Sequence, residues 1–483
     1  MRKKLFTILL TAVVCCLAAA TALAQAKFVE FPIAVGRDST FSTGAVYGNT
    51  TGLVAILGDT LSQYNVTAQL VYPPDSLIGN RISVGRAGVF PGGVVVVFDG
   101  ANYLLAWKEN TGDINGQFIN ETGNLVGSYF TIATNTSTEG PWSGGMAFND
   151  TTYFGVFAKA DTHLYGQRIS KSGVLIGGQI QISNNHARDI SLAYDGTNYL
   201  AAWVEVISDI DKDIYGQFIN KSGSLVGTNF LIDGGPNYSD NPTALACDGA
   251  RYLLAYHETP DTNTKWTLMG RFITTSGTVE ESIVICDSTK DPGFPSISFD
   301  GDHYLTTWTQ SIDLSLMGQF WTPAGLPVDA PFTIFNSVGG KIPFGGCGFG
   351  GGWFLAVGSM VDFSFTDGDV YGAFIPKYTG VAGNPVDPVN VSSFKLGQNA
   401  PNPFKQTTTI SYQMTKPGLV KLTVYNTAGQ LVKTLVNDYR QPGSYTVNWD
   451  CQGNDKRKVA NGVFLVRMES EGRAVTNKMV VVR

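Results

Sequence analysis

The sequence predicts an all-β chain: a seven-bladed β-propeller whose N-terminal strand closes the last blade, then a small immunoglobulin-like β-sandwich. Three observations predict it. An aromatic following an Asp-Gly turn recurs at Tyr103, Tyr153, Tyr199, Tyr252, Tyr304 and Phe354, in steps of 46 to 53 residues, with Gly52 in a weaker first copy. A glycine in segments such as Tyr215-Gly216-Gln217-Phe218 recurs independently at Gly116, Gly166, Gly216, Gly270, Gly318 and Gly372, with Ala68 in the first copy. Both anchors count seven. Finally, each unit of roughly 50 residues holds four short strands, the signature of propeller blades; a parallel β-helix would have shorter coils.

The clearest copy spans residues 194–232 and its approach. Its strands are DISLAY (a), NYLAAWVE (b), DIYGQFI (c) and NFLI (d), each bounded by Gly, Asn, Asp or Ser. Asp195-Gly196 joins a to b as a two-residue hairpin in which glycine supplies the positive φ. Ser172-Gly173, Ser222-Gly223 and Ser276-Gly277 do similar work between c and d. The seventh copy stops after strand c. FVEFPIAV at 28–35 resembles the d strands YFTI, NFLI and PFTI, and Ile33 precedes the Gly52 anchor by 19 residues, against 20 or 21 in complete copies. An N-terminal strand that completes the last blade would remove two open edges.

The first 24 residues read as a secretory signal peptide. Arg2, Lys3 and Lys4 precede an apolar core, and Ala22-Leu23-Ala24 forms the cleavage box. No other apolar run approaches the ~20 residues of a membrane span. Charged residues are 15%, against roughly 25% in average proteins, and glycines number 56 of 483. A net charge of −6 with mixed signs gives no basic patch and argues against nucleic acid as a partner. The expectation is export, to the medium or the cell surface. Of the cysteines beyond the leader, Cys247 falls on an inner strand and Cys286 on an outer one, roughly 14 Å apart across three strand spacings. Cys347 and Cys451 lie further off, so no disulfide is expected.

The propeller is expected over residues 27–377. A linker with two prolines follows at 378–393. Residues 394–483 then read as six or seven short alternating strands, a β-sandwich of immunoglobulin type. The matching residues there are Asn399-Ala400-Pro401-Asn402-Pro403-Phe404, Thr407 to Ile410, Val424-Tyr425-Asn426-Thr427-Ala428-Gly429, Trp449-Asp450, Asn461-Gly462-Val463 and the ending Lys478-Met479-Val480-Val481-Val482-Arg483. With them this tail resembles the type A C-terminal sorting domain of the type IX secretion system, found on exported proteins of Bacteroidetes and related phyla. The resemblance covers about a fifth of the chain. It implies export across the outer membrane through that machinery, then usually removal of the tail and release or surface attachment. Pro401, Asn402, Pro403, Phe404, Gly429, Gly462, Lys478, Met479 and Arg483 carry the sorting motif. Cys451 departs from it, because the family commonly has Gly after Trp-Asp, and a cysteine could strain that turn. A related module of flagellar hook-cap proteins shares the segment from Tyr425 to Gly429; the terminal position behind a signal peptide favours sorting.

Short, nearly constant a–b turns and variable b–c and d–a loops place any ligand site on the face that carries the variable loops. Its d–a loops hold Trp142, His186, Arg188, Tyr238, Asp240, Lys290, Phe294 and Lys341, and its b–c loops Asp261, Trp266 and Asp313. Solvated loop residues without a common ligand are the competing reading. A polar column at Glu109, Lys159, Glu205, Glu258 and Gln310 could supply an acid and a base for a glycan, but reads more simply as solvated strand ends. Asp209, Asp211 and Asp213 alternate as in a calcium loop, yet lack the glycine and distal glutamate of an EF-hand, so a hydrated hairpin is the simpler expectation and no cofactor is required. The four histidines show no metal spacing, His257 and His303 being assigned to b strands. The anchor aromatics, with Trp107, Trp203 and Trp308, should be interblade core. Three functions stay open: a binding scaffold for a glycan or protein, a polysaccharide hydrolase or lyase, and an adhesive surface protein without a small ligand.

Overall fold

A computed structural model describes residues 28, 30–35, 40–59, 64–88, 92–109, 111–136, 145–208, 211–234, 244–258, 266–336, 342–361, 368–378, 394–397, 399–414, 418–426, 430–441, 443–454, 457–470 and 473–482. Residues 1–24, expected to be a leader, and nearly all of 378–393, expected to be a linker, lie outside these residues. The chain divides into two compact units, Met1–Val386 and Asp387–Arg483.

Seven four-stranded antiparallel sheets fill the described part of the first unit. Six are continuous in sequence, over 40–88, 92–133, 146–181, 187–233, 244–286 and 292–336. The seventh joins strands Ile342–Gly350, Trp353–Val361 and Gly368–Pro376 to the N-terminal strand Glu30–Ala34. Inner strands pack sheet against sheet in chain order, and Ile342–Gly350 packs against Thr40–Tyr47 of the first sheet. That contact is backbone against backbone: a Cβ at Gly348 or Gly350 would overlap the carbonyls of Ala45 and Tyr47. The architecture is propeller-like, and the hydrophobic core lies in the seams between sheets. Tyr199 and Trp203, for example, pack on Phe154 and Val156 of the preceding sheet.

The fourth sheet shows why the repeat folds as it does. Its strands are Ala187–Tyr194, Asn198–Ser208, Asp211–Asn220 and Leu225–Asp233. Gly196 takes φ +97° in the a–b turn, and Gly100, Gly249 and Gly301 match it. The aspartate contributes as much as the glycine: Asp195 Oδ1 accepts from Thr197 N at 2.6 Å and Asn198 N at 2.7 Å, and Asp99, Asn149, Asp248 and Asp300 repeat the pattern. Strand d is longer than the expected NFLI. It begins at Leu225 and carries a bulge, since Gly216 pairs with Phe230 but Phe218 with Val226. The bulge frees carbonyls, and the buried Gln217 amide donates to Phe218 O at 2.9 Å and Val226 O at 3.0 Å. Gln69, Gln117, Gln167 and Gln319 make the equivalent bonds. Four of these five glutamines directly follow the anchor glycine, and Gln69 follows Ala68, so their recurrence at the same interval is the sequence signal for the bulge.

The second unit is a β-sandwich. One sheet holds Phe394–Leu396, Thr408–Met414 and Gly443–Trp449; the other runs Leu431–Arg440, Gly418–Asn426, Gly462–Ser470 and Arg473–Val481. Trp449, Phe404, Phe464, Met468 and Met479 fill the space between them.

Candidate functional site

Each sheet presents two ends. At the end with the a–b and c–d turns, polar groups bind neighbouring sheets. Glu121 accepts from Thr50 N at 2.7 Å, Lys171 Nζ donates to Asp99 O at 3.2 Å, and Lys377 Nζ reaches Asp300 O at 3.0 Å and Asp302 Oδ2 at 2.6 Å. The Lys377 ammonium holds the Asp302 carboxyl below its ordinary range. Anchor tyrosines do the same from inside the seams: Tyr252 donates to Asn198 O at 3.1 Å and Tyr304 to Arg251 O at 3.0 Å. Tyr103 likewise donates to Thr51 O.

The opposite end carries the b–c and d–a loops. Trp142, Tyr238, Asp240, Lys341, Asp209 and Asp261 fall outside the described residues. His186 and Arg188 lead into the inner strand of the fourth sheet. The His186 carbonyl accepts from Val206 N at 2.9 Å, and Arg188 Nε lies 3.3 Å from Asp189 Oδ2. Trp266, half-buried, stacks on the His257 ring at 5.1 Å, and His257 is 1% exposed. Lys290 closes a short 3-10 turn, Ser288–Lys290, capped by the Asp287 carboxylate. Phe294 is 41% exposed and takes φ +50° at a bulge in the inner strand of the sixth sheet. Asp189 occupies the matching bulge of the fourth sheet at φ +51°. A left-handed backbone costs a side-chain-bearing residue about 1–2 kcal/mol, and in Phe294 it keeps an aromatic ring on the surface. The residues thus share one end of their sheets: His186 and Arg188 at the fourth, Trp266 at the fifth, and Lys290 and Phe294 at the sixth.

The polar column is less solvated than the sequence suggested. Glu205 is 4% exposed and accepts from Asn185 Nδ2 at 2.6 Å; Glu109 accepts from Asn115 Nδ2 at 2.8 Å; Gln310, also buried, donates to Asp313 at 2.6 Å. Side chains from adjoining strands and loops cover these strand ends. Asp211 and Asp213 stand in strand c opposite Ser208 and Glu205, so the stretch around them is a β-hairpin. No group of three or more metal-ligating side chains occurs among the described residues. His303 sits in the a–b turn, just before strand Tyr304–Gln310, where its N–H donates to Asp300 Oδ1. Cys247, Cys286, Cys347 and Cys451 are all free.

In the C-terminal module the segment 401–404 meets the last strand. Asn402 Nδ2 donates to Lys478 O at 3.1 Å, and Asn402 Oδ1 accepts from Val480 N at 2.8 Å. Phe404 bridges Val481 in parallel and is buried, as is Met479. Pro401, Asn402, Pro403 and Lys478 are exposed. Gly462 opens the strand Gly462–Ser470, while Gly429 and Arg483 lie outside the described residues.

The FlgD Ig-like domain family matches residues 398–473. No curated protein matches the chain. Among solved structures, the BP39L lectin from Burkholderia pseudomallei is similar over 73% of this chain and 99% of its own, at 14% identity and TM-score 0.51. The β-propeller domain of the Trilobed protease from Pyrococcus furiosus aligns over 69% of this chain and 95% of its own, at 13% identity and TM-score 0.43. A prolyl endopeptidase aligns over 78% of this chain but only 55% of its own length, at 10% identity and TM-score 0.43. The likeness to the lectin shows the fold alone.

Proposed function

We propose that this chain is an exported binding protein: a seven-bladed β-propeller over 27–377, closed by the strand Glu30–Ala34, that takes a glycan or protein on its variable loop face. Residues 378–393 link it to a module, 394–483, that acts as a type IX sorting domain and brings the protein to the medium or the cell surface. One observation carries the placement of the binding face. The a–b and c–d ends have their polar groups tied into bonds between sheets, whereas the other end offers Phe294 on a strained backbone and Trp266 on a buried histidine. Strain kept at an exposed aromatic fits a ligand platform, and loops on a rigid scaffold are where binding residues concentrate. The lectin among the fold neighbours is compatible with a glycan but does not choose it over a protein.

The test is binding of the mature full-length chain to a glycan array and a panel of extracellular proteins, with and without calcium. Phe294→Ala and Trp266→Ala should each weaken a hit tenfold or more, while Tyr129→Ala on an outer strand leaves it unchanged. A hit that survives both loop substitutions would place binding elsewhere and end this assignment. Export is tested separately by fractionating cells that express the chain with and without residues 394–483.

A further inference from the structure

We propose that the export partner reads the C-terminal module through one composite basic edge, formed by Pro401, Pro403, Lys405 and Lys478, and that this edge fits an acidic, preformed groove. This rests on the sorting reading. The strand Arg473–Val481 is the last of its sheet, so its outer edge would otherwise offer unpaired backbone groups. Residues 396–397 and 402–404 cover it. Asn477 Nδ2 donates to Leu396 O at 3.1 Å and Gly397 O at 3.0 Å. Phe404 N donates to Val480 O at 3.0 Å, and Val482 N donates to Phe404 O at 2.9 Å.

Between these contacts stand two prolines, which have no N–H to give. The Asn402 side chain replaces the missing rung, because its amide offers a donor and an acceptor as a peptide group does. It uses both on the same strand, at Lys478 O and Val480 N. Phe404 is drawn into the core beside Trp449, ring centroids 5.8 Å apart, and Met479 is buried from the other side. Pro401, Pro403, Lys405 and Lys478 all stay exposed. The Phe404–Val481 bridge sets Lys405 beside Val482 on the edge that also carries Lys478. Proline rings lose almost no side-chain entropy on docking, and two lysines on a rigid edge favour a partner of opposite potential. The C-terminal strand is therefore presented as part of a surface and not as a free tail.

The full chain would be expressed in a bacterium that has a type IX pathway, and the exported fraction measured. Deletion of 394–483 tests the sorting reading alone; export that persists ends that reading. With that reading standing, the double variant Lys405→Glu, Lys478→Glu should lose tenfold or more of its export at an unchanged melting temperature. Asn402→Ala, which leaves residues 473–483 in place, should lose as much, with faster hydrogen exchange at the Val480 and Val482 amides. Should Asn402→Ala unfold the module, the charge variant decides. Unchanged export of the double variant, while deletion abolishes it, would overturn the composite edge.

Discussion

Phe31 lies opposite Gly372 in the antiparallel pairing of Glu30–Ala34 with Gly368–Pro376, and a Cβ on Gly372 would come within 2.7 Å of the Phe31 ring. The same relation holds inside continuous sheets, where Gly216 faces Phe230 and Gly318 faces Phe332. This explains the second anchor: the glycine of strand c is absent side-chain volume, filled by the aromatic of strand d. At the seventh sheet that aromatic comes from the other end of the unit. Phe31→Ala should therefore destabilise the propeller by about 3–4 kcal/mol, and Gly372→Ala by about 1–3 kcal/mol through overpacking, both read by denaturant titration. A Phe31→Ala protein that unfolds at the parent midpoint would remove the basis for a ring closed by its N-terminal strand.

Elements that repeat were legible in the sequence because one physical demand recurs at one spacing. The Asp-Gly turns, the aromatic and glycine anchors, and the N-terminal d strand all belong to this class. What was not legible depends on where the chain folds back. Asn185 covers Glu205, and Asp313 takes the amide of Gln310, so positions that look like open strand ends are covered. The bulge plugged by Gln217 was hidden for a different reason: it extends strand d by residues whose exposed pattern resembles a loop. In the C-terminal module, the immunoglobulin-like strands were legible, but that Asn402 clasps Lys478 required knowing which strand ends the sheet.

Tyr252 ties two sheets together by donating to Asn198 O, and burial raises its phenol above the ordinary range. Tyr252→Phe removes this donor while Asn198 O keeps the Asp195 N–H at 3.0 Å, at a cost of about 0.5–1.5 kcal/mol. The phenol's folded pKa lies above its unfolded value near 10. Its contribution is thus complete below pH 10 and lost as pH rises toward the folded value. Melting temperatures measured from pH 7 to 11 should fall less steeply above pH 10 in Tyr252→Phe than in the parent. Parallel curves would show that this hydroxyl does not stitch the seam.

The thiols should be slow. Burial pushes Cys286 and Cys347 up to about 11 and Cys247 up to about 12, and only the thiolate attacks. At pH 8 the thiolate fraction of Cys286 is about one in a thousand. Native protein of residues 25–483 should react with a disulfide reagent at least a hundredfold more slowly than free cysteine, whereas the same protein denatured should titrate all four thiols at once. Because the folded pKa exceeds the unfolded one, the protonated thiols contribute stability below about pH 9 that is lost between there and pH 11. One fast equivalent from folded protein would mean a thiol more open than its burial indicates.

Cys451 sits where the resemblance expects glycine, and it takes φ +58° while its side chain is buried beside Trp449. Two terms oppose each other there. Cys451→Gly relieves the left-handed backbone, worth about 1–2 kcal/mol, but removes the packed sulfur, worth roughly 1 kcal/mol of apolar burial. Cys451→Ala removes the same packing and keeps the strain. The module should then melt close to the parent in Cys451→Gly and clearly lower in Cys451→Ala, reversing the usual order in which alanine is tolerated better than glycine. Differential scanning calorimetry of the full chain would resolve the module's transition in each variant. If alanine proved the more stable of the two, the positive φ would not be costing this turn anything, and the cysteine would be there for packing alone.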